Sequence, residues 1–431
     1  MTSLTAIING RLVDPVTNTE DITNIFLDET GMVVGLGYVP EEDAVTSEVI
    51  DLKGKYIISN IIDSHVSLRE PGEEDKETLA TASKAALSGG ITLLISTPDT
   101  HPIIDTPEMV SFIHGRRKES SLVPIYPLGA LSKNMSGLEL AELYLMSDAG
   151  AVGFTDGNSL EHTGLMRHAL HYSSDLDRPV IITPEDPLLS QNGVMNEGSV
   201  STVLGLKGIP AESEEVRLSR DIKLLERFGG FLHVFPVTTR ATVDLIRKAK
   251  ARGLSITCGT APHYLMFDES DIEGYDPIYK CRPPLRTRDD IEALIEGISD
   301  GTIDILASHH QPHTIDGKRT DFVSAEYGMS GIDTFLPSVI TALAHRRAVP
   351  LPLIAKLLST NPKRIFRLKK PGVAINTKPS FTVIDTKTEM SVDQAGFGSK
   401  SKLSPFHGMG LVGWPVMTII DGKILWRRQP S

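Results

Sequence analysis

Residues 63–72 read Asp63-Ser64-His65-Val66-Ser67-Leu68-Arg69-Glu70-Pro71-Gly72 and follow an apolar run over residues 56–62. A short apolar run bounded by turn residues reads as a buried strand, and the polar segment behind it as the strand's C-terminal end. The segment matches Asp-x-His-x-His-Leu-Arg with a serine at the second histidine. Residues i and i+2 of a strand share a face, so a His-x-His pair can offer two imidazoles to one cation. Here only His65 can, because zinc takes thiolate, imidazole or carboxylate and Ser67 offers none of these.

Working outward, short apolar runs alternate with amphipathic stretches, the pattern of a parallel sheet with crossover helices. Strands are predicted at 56–62, 91–97, 123–128, 151–156, 179–183, 230–237, 254–260 and 303–308, with helices at 219–228, 242–252 and 289–298. Eight strands fit a closed (β/α)8 TIM barrel, and a doubly wound open sheet is the alternative. Residues 1–55 and 371–431 are β-rich and broken by turn signals at Asn9-Gly10, Asp14-Pro15, Lys53-Gly54 and Asp421-Gly422. The expected α/β architecture is therefore a barrel over 56–370 and one small β domain composed from both termini.

The 431 residues leave room for a barrel of about 250 residues and an accessory unit. Ordinary hydrophobic and charged fractions of 40% and 23% exclude disordered and collagen-like classes. A net charge of −12 argues against nucleic acid as a partner. With only Cys258 and Cys281, no long apolar run and no leader pattern, a cytoplasmic protein is expected.

In such a barrel, chemistry gathers at the C-terminal ends of the strands. Those ends read Thr97-Pro98-Asp99-Thr100, Phe154-Thr155-Asp156-Gly157, Thr183-Pro184-Glu185-Asp186, His233-Val234-Phe235-Pro236, Thr260-Ala261-Pro262-His263 and Ser308-His309-His310-Gln311-Pro312-His313, with Cys281-Arg282-Pro283-Pro284-Leu285-Arg286 between the last two. Together with Asn9-Gly10-Arg11-Leu12-Val13-Asp14-Pro15 and Ser401-Lys402-Leu403-Ser404-Pro405-Phe406, this series resembles the bacterial long-type dihydroorotases of the amidohydrolase superfamily, nearly end to end.

The resemblance implies one or two zinc ions and six ligand positions. His65 matches one, and Asp156 matches the strand-four aspartate. Ser67, Thr183, Pro236 and His309 stand where the family pattern has histidine, histidine, histidine and aspartate. No lysine occurs in 151–156 for a carbamylated bridge. Zinc lowers the pKa of its bound water from 15.7 to roughly 7, so a site without it forgoes on the order of eight decades of hydroxide fraction.

The resemblance also implies a carboxylate-binding pocket. Arg69 and His313 match it, whereas Asp99 and Arg282 replace asparagines. A second anion about 4 Å from a substrate carboxylate costs roughly 4 kcal/mol at an effective dielectric near 20. A salt bridge from Asp99 to Arg69 or Arg282 is expected in its place. His233 and His263 read as hydrogen-bonded barrel residues, and Glu185-Asp186 as supporting carboxylates.

These changes lead to an expectation of no metal, no catalytic residue and a lost hydrolase activity. The resemblance then implies a structural partner of aspartate transcarbamoylase and an oligomer. The alternatives are a cyclic-amide hydrolase with one zinc on His65, Asp156 and His309, and an anion-sensing module built on Arg69, Arg282 and His313.

Overall fold

The first barrel strand, Ile62–Val66, is buried along its whole length and runs parallel to Leu93–Ser96, which pairs with Ile125–Pro127. The structure is a computed structural model describing residues 3–38, 45–158 and 160–429. A second parallel run pairs Phe154–Asn158, Val180–Thr183, Leu232–Val234, Ile256–Thr260 and Ile305–Leu306 in that order. Parallel bridges join the two runs at both seams, Gly129 to Phe154 and Val66 to His310. The eight strands close into a barrel, as the alternating pattern predicts.

Continuous apolar runs such as Val180-Ile181-Ile182 suit strands covered on both faces. Crossover helices supply the outer cover, among them Leu79–Ser88, Thr163–Leu176, Arg240–Ala251 and Arg288–Ser299. Glu212–Phe228 starts seven residues before the expected 219. Its first turn carries Glu212, Glu214 and Glu215, which favour a helix N-terminus but hide it from an apolar pattern. Glu214 is buried there because Thr238, Thr242 and Arg286 meet its carboxylate.

Tyr56–Ser59 departs from the expected single strand over 56–62. It pairs with Ser3–Asp14 and with Phe381–Asp385, so it belongs to the terminal β unit, and the chain enters the barrel only at Ile62. That unit is an eight-stranded sheet of both termini, ending in the Trp414–Ile420 and Lys423–Arg427 hairpin. Its core packs Ile7, Ile25 and Val33 against Phe381, Val383 and Ile419. Asn9-Gly10 is not a turn. Asn9 has φ 57°, and the register shifts between Ile7 and Gly10 within one long strand, which makes the pair a bulge. Asp421-Gly422 is the expected tight turn, with φ 46° and 78°. Among the described residues, no helix is long and apolar enough to cross a membrane.

Candidate functional site

The C-terminal strand ends enclose a cavity of about 110 Å³. Five ends contribute residues two apart: His65 and Ser67, Thr97 and Asp99, Thr155 and Gly157, Ile181 and Thr183, His309 and Gln311. This is the two-residue period of a strand carried up to the mouth. Phe235, two residues after His233, fills the sixth position and stacks on His65 with ring centroids 3.8 Å apart. Sequence reading passed over Phe235, Thr97 and Gln311, although the same period picks out each of them.

The imidazoles here are held uncharged. Burial, with His233 and His309 close by, pulls the His65 pKa well below the usual value. Burial brings His309 down to about 4, against an opposing pull from Asp99, and His233 to about 3. His233 Nδ1 meets Thr257 Oγ1 at 2.8 Å, and His263 stacks on His309 at 5.7 Å. Nε2 of His65, His233 and His263 is buried without a protein partner.

Asp99 organises the charged rim. Its Oδ2 accepts from Ser67 Oγ at 2.8 Å and Arg69 Nη1 at 3.2 Å, and its Oδ1 from Thr97 Oγ1 at 2.5 Å. The same Arg69 nitrogen reaches Glu73 at 3.2 Å. Arg69 and His309 both sit at positive φ, 61° and 53°, an unusual backbone for non-glycine residues that surrounding contacts must hold. Of the two expected bridges, Arg69–Asp99 forms. Arg282 instead grips both oxygens of Glu185, at 3.1 and 3.0 Å from Nε. His313 Nε2 contacts the Tyr327 carbonyl at 2.8 Å, so this nitrogen carries the hydrogen and donates. Of Arg69, Asp99, Arg282 and His313, only Asp99 lines the cavity.

Four of the six metal positions, His65, Ser67, Thr183 and His309, line the cavity, whereas Asp156 and Pro236 do not. The Asp156 carboxylate is taken by the backbone N–H groups of Leu131 and Ser132 at 2.8 and 3.0 Å and by the Ser132 hydroxyl. Ser67 donates to Asp99, the Thr183 hydroxyl to the Phe235 carbonyl at 2.9 Å, and Pro236 has no donor atom. The one-zinc set of His65, Asp156 and His309 is therefore corrected: Asp156 serves the loop after the third strand. Among the described residues, no three His, Cys, Asp or Glu side chains form a metal-holding group. This donor set does not fit a catalytic zinc, which needs three protein ligands. His310 is spoken for by Glu77 at 3.3 Å and the Gly331 N–H at 3.2 Å.

A family model described as dihydro-orotase-like matches residues 54–242. A dihydroorotase of Acetivibrio thermocellus is 39% identical over 97% of this chain and 98% of its own length. One from Pelotomaculum thermopropionicum is 40% identical over 96% and 97%. The chain belongs to the dihydro-orotase-like family. Among solved structures, the L-hydantoinase (dihydropyrimidinase) from Arthrobacter aurescens superposes with TM-score 0.86 at 23% identity, covering 100% of this chain and 97% of that one. At that identity the likeness establishes the fold.

Membership of the dihydro-orotase-like family corrects one expectation. The changed ligand positions pointed to an inactive structural partner of aspartate transcarbamoylase. Relatives 38–40% identical over 90–97% of the chain are named dihydroorotase, and they point to an active enzyme instead.

Proposed function

We propose that this chain is a hydrolase that opens the ring amide of a small cyclic substrate at the barrel mouth. The observation that carries the reading is geometric: His309 presents an imidazole on the wall of the cavity that Asp99 also lines. The relatives named dihydroorotase support the same class of reaction.

In the proposed reaction, a water oxygen bonds to the ring carbonyl carbon as His309 accepts one proton from it. The carbon–nitrogen bond then breaks, and His309 returns that proton to the leaving nitrogen. The products are a carboxyl group and a freed nitrogen on one open chain. Asp99 supports the transient imidazolium, since its charge favours the protonated form of His309. Phe235, stacked on His65 and edge-on to His309, forms the adjoining apolar wall. These steps use the chain's own residues, because the donor set does not fit zinc.

The test is ring opening of dihydroorotate, 5,6-dihydrouracil and hydantoin, followed by chromatography of the open-chain products. Wild type is expected to turn over at least one ring, and His309→Ala to lose about 10²- to 10⁴-fold, the usual worth of a positioned acid–base group. Unchanged turnover in His309→Ala, or no turnover of any ring, overturns the reading.

A further inference from the structure

We infer that the mouth selects uncharged cyclic amides and rejects ring acids, a specificity set by Asp99. This rests on the ring-hydrolase reading above and names its substrate class. Among the described residues, Asp99 is the one acidic side chain that lines the cavity, and no lysine or arginine lines it. The cations nearby are already matched. Arg69 is shared between Asp99 and Glu73, and Arg282 is bound to Glu185.

His313 offers an anion nothing either. Its pKa of about 4 leaves it neutral at pH 7, and its single N–H donates to the Tyr327 carbonyl. The buried Nδ1 is therefore a bare acceptor. A carboxylate placed about 4 Å from Asp99, at an effective dielectric near 20, would lose at most about a thousandfold in affinity, and the Arg69 guanidinium at 3.2 Å offsets part of that loss.

The same group suits a ring amide. A carboxylate has about four acceptor positions, and Ser67, Thr97 and Arg69 use three. The fourth is free for a ring N–H. The size agrees, because about 110 Å³ is close to the ~150 Å³ that encloses one benzene ring and leaves little for a bulky substituent.

Two probes that differ only by the carboxylate test this: 5,6-dihydrouracil and dihydroorotate, titrated calorimetrically into the full chain. The uncharged ring is expected to bind at least about a hundredfold tighter, and Asp99→Asn to narrow the gap by more than tenfold. Should Asp99→Asn fold poorly, wild type at low and at 1 M salt gives the second measurement. Screening should then weaken the discrimination. Equal or tighter binding of dihydroorotate, or binding of neither ring, overturns the inference. A binding preference without ring opening overturns the hydrolase reading and leaves the selectivity standing.

Discussion

Ser67 donates its hydroxyl to Asp99 at 2.8 Å, joining two of the positions at which this chain departs from the dihydroorotase pattern. The departures therefore come as a set. A serine where a metal-binding histidine is expected serves a carboxylate where an asparagine is expected, and Arg69 completes the group at 3.2 Å.

Coupling between them should be measurable. Ser67→Ala is expected to cost about 1.5 kcal/mol, the scale of a hydrogen bond to a charged group. In an Asp99→Asn background the cost should shrink by at least about 0.5 kcal/mol. Urea unfolding of the two single variants and the double variant gives the cycle. Additive costs would show that the two positions act independently.

Stability should fall on mild acidification. His309 and His313 have folded pKa values of about 4, and His233 about 3, against 6.5 for the unfolded side chain. Below pH 6.5 the unfolded chain takes up protons that the native chain refuses. Stability is thus full above 6.5 and drains away as the pH falls toward 4. Each histidine should cost about 2 kcal/mol at pH 5. Urea midpoints at pH 7.5 and 5 check the direction, and a midpoint that is flat or rises at pH 5 would refute it.

Phe235→Ala should be among the most damaging single changes at the mouth. The ring is 2% exposed and stacked on His65. Its removal leaves a void between His65 and His309 and should cost about 3–5 kcal/mol. Phe235→Leu, which keeps most of the volume, should cost markedly less. Thermal unfolding of both variants compares them.

Gly422, in the turn of the terminal hairpin, packs closely against the backbone of Gly31. Its φ is 78°, and a Cβ there would lie 1.8 Å from the Gly31 carbonyl oxygen. Gly422→Ala should therefore cost more than the ~1 kcal/mol of the positive φ alone, because backbone must also move. Gly253→Ala, at the same φ of 78° but with open space around it, is the control. Similar losses in the two variants would show that the contact with Gly31 carries no weight.

The period-two and period-3.6 patterns marked the parallel strands, the crossover helices and the composite terminal sheet, because burial on a regular element repeats with that element's geometry. Asp421-Gly422 was legible as a turn for the same local reason, whereas Asn9-Gly10 was not: a bulge and a turn share residue chemistry and differ only in what pairs alongside. The motif at His65, Ser67 and Arg69 likewise located the barrel mouth. The chain alone could not choose between Arg69 and Arg282 as the partner of Asp99, since both lie far from it in sequence and Glu185 captured Arg282. Nor could it tell that Asp156 would turn to the backbone of Leu131 and Ser132. Sequence fixes which groups stand at the strand ends, because that depends on local periodicity. Tertiary structure decides which of them meet and which stay charged, because Coulomb attraction and desolvation depend on distances and burial that exist only once the barrel has closed.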